Sequence, residues 1–238
     1  MARLPRFVLP GYPQHVIQRG NNHARILYAE DDYWFLWGKI GAAADKFQCD
    51  LHAYVLMPDH FHLLLTPRLE NGVGKLMQYV GRYYVQHFNS RYERTGTLWE
   101  GRYRATLLDP RQYLLPVSHY VESNPVRSGL VKSVEEYGWS SYGANARGDD
   151  DPLVTPHPEY EHLGRNAKAR RTAYAAQAEK TLDAALLTRI RDATNKAWVL
   201  GDSTFCAAIE GALNRRALPR PRGGDRRSAA YRRATGKL

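Results

Sequence analysis

The sequence of 238 residues contains only two cysteines and no long apolar run. Cys49 and Cys206 are far apart and form no Cys-x-x-Cys pair, so the sequence predicts no disulfide framework. No stretch approaches the roughly 18–20 apolar residues of a membrane helix. The apolar run near the start is too short for a signal peptide, and Pro10 interrupts it. These absences favour a reducing, cytoplasmic setting without a membrane partner.

Acidic residues are few relative to basic ones, 24 against 34, which gives a formal net charge of +10. Most of the excess lies in residues 215–238, where eight Arg and one Lys face one Asp. A basic tail of this kind indicates a polyanion partner, and we favour nucleic acid over a merely solubilising role. Hydrophobic residues make up 43% of the chain, which is enough for a packed core and excludes wholesale disorder.

Hydrophobic periodicity predicts alternating strands and helices as far as Asn124. The predicted strands are 12–19, 51–57, 60–66 and 98–108, and the predicted helices are 30–47, 74–92 and 110–124. This order indicates an α+β fold of the ferredoxin-like or RRM-like type, with an antiparallel sheet and helices on one face. The other face of the sheet would then be open for a ligand.

Composition predicts the domain organisation. Residues 1–145 form the α+β domain, 146–165 a linker rich in Asp and Pro, 166–215 a helical extension and 216–238 a basic disordered tail. The triplet Asp202-Ser203-Thr204 is an N-cap signal for the last helix of the extension. Whether this extension binds DNA or only stabilises the fold stays open at this stage.

Two histidines give the sharpest local signal. His60 and His62 alternate along a predicted strand, so their side chains share one face of the sheet. Two neighbouring imidazoles can hold one divalent metal ion. The alternative is that they are ordinary strand histidines, because an isolated His-x-His pair is not specific.

A second signal lies at the end of the last predicted helix of the domain. Tyr120 and Asn124 are four residues apart and share a helix face. Pro125 disfavours helical geometry at Asn124, which places that amide oxygen at the helix end as a third ligand for Mg²⁺ or Mn²⁺. Tyr120 is a candidate nucleophile, although a tyrosine is more often a packing residue. Pro116 either kinks this helix or begins it.

Basic and aromatic residues surround the two motifs. Arginine neutralises phosphates and aromatic rings stack on unpaired bases. The candidate DNA contacts are Arg19, Asn21, Arg82, Trp99, Arg102, Arg104 and Arg127. An amphipathic helix with a buried aromatic face, or a simple turn at Asn21, would explain some of them equally well. Glu100 is a candidate carboxylate partner for one of the histidines.

Three blocks together resemble a known family. They are AYVLMPDHFHLLL at 53–65, LWEGRYR at 98–104 and YVESNPVRSG at 120–129. Their order and spacing resemble the IS200-like single-tyrosine HUH transposases, where U is a hydrophobic residue, and most closely the REP-associated tyrosine transposases. The resemblance covers roughly residues 12–142.

The resemblance implies specific roles for the candidate residues. His60, His62 and Asn124 would bind a divalent metal, and Tyr120 would attack a phosphodiester of single-stranded DNA. The products would be a 5′-phosphotyrosine and a free 3′-hydroxyl, which the reverse reaction rejoins. The substrate would be a hairpin formed by a repetitive extragenic palindrome.

Three other functions are alternatives for this sequence. An HUH replication initiator or relaxase shares the chemistry, but the short chain and the YVESNPVR block argue against it. A domesticated, non-catalytic DNA-binding protein would keep the fold without cleavage. RNA binding through an open sheet is a third alternative, although no RNP-like aromatic signature is present. We expect a monomer rather than a homodimer.

Overall fold

The computed structural model describes residues 6–178 and 182–219 of the protein. Its strands are β1 (Gln14–Arg19), β2 (Cys49–Leu56), β3 (His60–Pro67) and β4 (Arg104–Leu107). They form one four-stranded antiparallel sheet in the order β2-β3-β1-β4. This order is the one that a ferredoxin-like β-α-β-β-α-β chain produces, so the predicted α+β class is confirmed.

Helices fill the connections and the C-terminal part. Their bounds are α1 (Glu30–Lys46), α2 (Gly72–Arg91), α3 (Pro110–Glu122), α4 (Asn124–Arg127), α5 (Pro158–Glu161), α6 (Ala167–Ala178), α7 (Ala184–Lys196) and α8 (Ser203–Leu213). Within the described ranges, no helix is both long and apolar enough to cross a membrane.

The first face of the sheet is covered by α1 and α2. Val16, Phe61 and Leu63 from the sheet belong to one buried cluster with apolar residues of both helices. Tyr84 and Phe88 of α2 are fully buried in this cluster, so these two aromatics are core residues. Removing such large apolar surfaces from water is a main source of the stability of the domain.

The second face of the sheet is not open, contrary to the prediction from sequence. Helices α3 and α7 pack on it and form a second buried cluster with Ala53, Val55 and Leu64. The physical reason is that these strand positions are also apolar, so exposure of the whole face would be unfavourable. Only the part of this face that carries polar side chains borders a cavity.

Strand β4 is shorter than predicted. The sequence favoured a strand over 98–108, but only Arg104–Leu107 pairs as a strand. Gly101 adopts a φ of 118° and Gly96 a φ of 86°, and such left-handed backbone interrupts a strand. An isolated bridge between Gly20 and Trp99 is what continues the pairing along this segment.

The predicted linker and extension both pack against the domain. Val154 pairs with Leu51 of β2, and the carboxylate of Asp151 accepts a hydrogen bond from the Tyr54 hydroxyl at 2.7 Å. Asp202 caps α8 by accepting from the backbone N–H of Phe205 at 2.8 Å, as its sequence signal predicts. Of the predicted basic tail, residues 220–238 lie outside the described ranges.

Candidate active site

Strand register gathers the polar residues of the second face. His15, Ile17 and Arg19 of β1 lie opposite Leu64, His62 and His60 of β3, in that order. Residues paired in this way project from the same face of the sheet. The predicted His60–His62 pair therefore has a third histidine and an arginine on the neighbouring strand.

Asp59 and Asn124 contact His60 from two sides. Asp59 Oδ1 is 2.6 Å from His60 Nδ1, and Asn124 Nδ2 is 2.9 Å from His60 Nε2. Burial would raise the pKa of Asp59, but the hydrogen bond and charge of His60 outweigh it and hold that pKa below its ordinary value. The carboxylate that orients His60 is thus the residue directly before it, in the turn between β2 and β3. Glu100 instead lies 3.8 Å from Arg104.

His62 is hydrogen-bonded to His15 on the neighbouring strand β1. Its Nδ1 is 2.7 Å from Nε2 of His15, and His15 Nδ1 is 2.9 Å from the hydroxyl of Thr194 on α7. Burial, reinforced by the positive charge of Arg127, lowers the pKa of His15 to about 3. Burial, followed by the neighbouring His15 and His60, also holds the pKa of His62 well below its ordinary value. Both rings are therefore neutral near pH 7, the form in which imidazole binds metals.

Helix α3 presents Tyr120 to these histidines. The helix begins at Pro110, where Asp109 caps it by accepting from the backbone N–H of Arg111 at 3.1 Å. Pro116 consequently lies inside the helix and does not begin it. Tyr120 is only 7% exposed, and its ring meets the His62 ring edge-on at 6.0 Å between centroids.

Asn124 lies just beyond the end of α3. The helix stops at Glu122, Ser123 caps it, and Asn124 is the first residue of the four-residue helix α4. The sequence predicted a non-helical Asn124 at the C-terminal end of this helix, but Asn124 is helical and begins α4, because Pro125 lies in the first turn of that helix, where proline is tolerated. This short break brings the Asn124 amide against His60 while Tyr120 remains on α3.

These side chains meet in one cavity of about 220 Å³. Its lining residues are His15, Ile17, Arg19, His60, His62, Tyr120, Asn124, Arg127, Ser128, Arg191, Thr194 and Asn195. The Nε atoms of Arg19 and Arg127 are buried, and among the described residues they have no hydrogen-bond partner. Because buried N–H groups without a partner are rare, both atoms fit an anionic ligand such as a phosphate.

The donor set of the cavity suits a divalent cation. Two imidazoles and one carboxamide are ligands that Mg²⁺ and Mn²⁺ accept, provided that the amide presents its oxygen. At present the amide nitrogen of Asn124 faces His60. Rotation of the amide by about 180° around its Cβ–Cγ bond places the amide oxygen there instead. In residues 6–178 and 182–219 there is no cluster of three or more His, Cys, Asp and Glu side chains that could hold a metal ion. A cation site here therefore depends on the Asn124 amide as well as the two histidines.

Comparison with known families agrees with the motifs and the geometry. Residues 11–124 match the family model described as an IS200-like transposase. This match covers just under half of the chain, and over these residues the chain is similar to IS200-like transposases. The matched segment contains the candidate tyrosine, both histidines and Asn124, whereas Arg127 and helix α7 lie beyond it.

Comparison with a solved structure shows the same fold. A REP-associated tyrosine transposase bound to a REP hairpin matches with a TM-score of 0.52 and 19% sequence identity. The match covers 66% of the present chain and 93% of the other. A Deinococcus radiodurans protein described as a candidate transposase matches 51% of the chain and 97% of its own, at 22% identity, but its TM-score of 0.36 is too low to inform the fold. No curated protein matches the sequence.

The predicted DNA contacts divide into two groups by position. Arg19 and Arg127 line the cavity, and Arg102 and Arg104 line a second cavity of about 280 Å³ between β4 and α7. Arg82 and Trp99 belong to the opposite side of the sheet, where Arg82 is exposed on α2 and the Trp99 ring packs near Tyr84. Asn21 is exposed in the turn that follows β1.

Sequence reasoning missed two residues of this cavity, His15 and Thr194, and the contact of Asp59 with His60. His15 carried a usable signal, because it alternates with Ile17 and Arg19 along one strand. Asp59 also carried a signal, because it directly precedes His60. Thr194 carried no signal, since only the packing of α7 on the sheet brings it to the site.

Proposed function

We propose that this transposase cleaves and rejoins single-stranded DNA with Tyr120 as the nucleophile and a divalent metal ion as cofactor. The observation that carries the proposal is the convergence of Tyr120, His60, His62 and Asn124 on one cavity. The family of the matched segment supports DNA transposition as the biological process.

The proposed cleavage is a single transesterification. The Tyr120 phenol oxygen attacks the scissile phosphorus, a new P–O bond to tyrosine forms, and the bond to the 3′-oxygen breaks. The phenol loses its proton and the leaving 3′-oxygen gains one, so the reaction is neutral overall. Because the phosphodiester energy is kept in the phosphotyrosine, a free 3′-hydroxyl can reverse the reaction and reseal the strand.

The side chains around Tyr120 would bind the cation and the phosphate. His60, His62 and Asn124 would hold the cation, which when bound stabilises charge on the phosphate and the leaving oxygen. Arg127 and Arg19 present buried N–H donors to the same cavity and would bind the phosphate oxygens. A neutral phenol is a poor nucleophile near pH 7, so this electrostatic assistance is needed.

The groove between β4 and α7 offers a path for the strand beside the scissile phosphate. Thr194 and Asn195 line both the catalytic cavity and the 280 Å³ cavity next to it. The second cavity also contains Arg102, Arg104 and Lys196, so its lining is basic. A polynucleotide backbone is the ligand class that such a groove favours.

The hairpin substrate is supported by resemblance. The motif blocks resemble those of REP-associated tyrosine transposases, and a solved structure of such an enzyme, bound to a REP hairpin, has the same fold. We therefore propose REP-type hairpins as the substrate, with Mg²⁺ or Mn²⁺ as the cofactor and a monomer as the active species.

A denaturing gel tests the proposal directly. Purified protein is mixed with 5′- or 3′-end-labelled single-stranded hairpins in Mn²⁺ or EDTA, with wild type or Tyr120→Phe. We expect a slow, protease-sensitive adduct on the 3′-labelled fragment, which requires both the metal and Tyr120. Tyr120→Phe should lose the adduct while keeping hairpin affinity, since it removes one hydroxyl only.

Two outcomes would overturn the proposal. An adduct that persists in Tyr120→Phe would assign the nucleophile to another residue. Hairpin binding without any adduct in wild type, and with the same affinity in EDTA, would identify a non-catalytic DNA-binding protein.

A further inference from the structure

Helix α7 lies outside the segment that matches the transposase family model. A series of hydrogen bonds nevertheless connects His62, a candidate metal ligand, to Thr194 on α7. His62 Nδ1 is 2.7 Å from His15 Nε2, and His15 Nδ1 is 2.9 Å from Thr194 Oγ1. Thr194 Oγ1 is in turn 2.8 Å from the carbonyl oxygen of Ile190. The side-chain members of the chain are buried, with exposures of 3% for His62, 1% for His15 and 3% for Thr194.

The Ile190 carbonyl fixes the direction of every proton in this chain. A carbonyl oxygen can only accept, so the single hydroxyl hydrogen of Thr194 is donated to Ile190. Thr194 Oγ1 must then accept from His15, which places the proton of neutral His15 on Nδ1. His15 Nε2 is left as an acceptor, so the proton of neutral His62 is also on Nδ1.

We infer that Thr194, acting through His15, is a positioning residue that keeps the His62 proton on Nδ1 and leaves the Nε2 lone pair for a cation. The inference relies on the proposed function only for the group that Nε2 would bind. The position of the proton follows from the directions of the hydrogen bonds between two neutral rings.

The adjacent residue, Asp59, places a proton on Nδ1 of His60 as well. The Asp59 carboxylate can only accept, so the His60 ring donates from Nδ1, and its Nε2 faces the Asn124 amide nitrogen at 2.9 Å. The two histidines therefore present the same ring atom, one controlled by the adjacent residue and the other by a helix that follows the family segment. Such outer partners orient metal-bound histidines and raise their basicity.

The first test reads the protons in the metal-free, full-length protein. With ¹⁵N-labelled histidine, long-range ¹H–¹⁵N spectra distinguish a protonated ring nitrogen from an unprotonated one, and His62→Gln and His15→Gln assign the signals. We expect both His62 and His15 to carry their protons on Nδ1. A His62 ring protonated on Nε2 overturns the inference, whatever the variants below do.

The second test removes the hydroxyl at the end of the chain. Thr194→Val keeps the side-chain shape but cannot accept from His15, whereas Thr194→Ser keeps the hydroxyl. We expect Thr194→Val to lose the single tautomer of both rings and to weaken Mn²⁺ affinity in calorimetry by ~10–100-fold, and Thr194→Ser to restore both. Wild-type spectra and wild-type Mn²⁺ affinity in Thr194→Val would show that α7 does not control His62.

Neither test uses DNA, so its result is separable from that of the cleavage assay. The expected spectra without any covalent adduct would keep this inference and overturn the proposed function. An adduct formed by a protein whose His62 is protonated on Nε2 would do the reverse.

Discussion

The guanidinium of Arg127 lies across the ring of Tyr120, with its central carbon 4.2 Å from the ring centroid. Arg127 follows Tyr120 by seven residues, and the break between α3 and α4 is what turns it back over the ring. This cation–π contact leaves the buried Nε of Arg127 without a hydrogen-bond partner among the described residues. The arginine is therefore fixed against the candidate nucleophile while one donor stays available to a phosphate.

Replacing Arg127 should slow cleavage more than it weakens the fold. We expect Arg127→Ala to reduce the rate of covalent attachment by ~10²-fold, because a preorganised donor at the developing charge is lost. Arg127→Lys should recover only part of the rate, since it keeps the charge without the planar fork. The control is Arg68→Ala, which breaks a surface ion pair with Asp50 at the far end of β3. Equal rates for Arg127→Ala and Arg68→Ala would contradict the role of Arg127.

Asp59, rather than Glu100, should control the affinity for metal. Asp59→Asn removes the carboxylate that orients His60, so we expect Mn²⁺ affinity to fall by ~10–100-fold. Glu100→Gln should leave that affinity unchanged, because Glu100 contacts Arg104 instead. Calorimetric titration of both variants makes the comparison. A larger loss in Glu100→Gln than in Asp59→Asn would support the original prediction from sequence.

Arg102 and Arg82 should differ in their effect on DNA binding. Arg102 lines the groove between β4 and α7, whereas Arg82 is exposed on α2, which covers the other face of the sheet. We expect Arg102→Ala to reduce the slope of log affinity against log salt by about 0.7, as one lost phosphate contact to a single strand does. Arg82→Ala should leave the slope unchanged. Fluorescence anisotropy over a range of salt concentrations measures both, and the opposite ranking would place the strand on the α2 side.

Glu122 should make the fold lose stability as pH rises. Burial raises the pKa of Glu122 to about 7, although hydrogen bonds from Ser141, Asn145 and Tyr174 act in the opposite direction. A folded pKa above the unfolded one gives stability that is complete below about pH 4 and is lost as pH rises through 7. Relative to Glu122→Gln, the wild-type free energy of unfolding should fall by about 3 kcal/mol between pH 4 and 8. Urea denaturation of both proteins measures it, and parallel pH profiles would show that folding does not raise the pKa of Glu122.

The sequence was sufficient for the elements that depend on local pattern. Alternation along β3 placed His60 and His62 on one face, and the Asp202 cap predicted the start of α8. The effect of Pro125 on its neighbour predicted that the helix would end near Asn124, and α3 ends two residues earlier, at Glu122. These features depend on a few consecutive residues, so a single sequence contains the information needed to predict them.

The features that were missed depend on contacts between distant parts of the chain. Thr194 reaches His15 only because α7 packs on the sheet, and nothing in the residues around Thr194 indicates that contact. That the second face of the sheet is covered was missed for the same reason, because α3 and α7 both pack on its apolar residues from later parts of the sequence. Strand β4 was predicted too long because the presence of a glycine at position 101 does not by itself reveal that its backbone is left-handed.

The placement of α7 also bears on how much of the chain the proposed cleavage needs. Residues 11–124 carry the candidate nucleophile and the candidate metal ligands, but Arg191, Thr194 and Asn195 close the cavity from the other side. A fragment that ends before α7 would contain all of those candidates and still lack one wall of the cavity around them. Under the proposed function, the segment that matches the family model would therefore not be sufficient for cleavage.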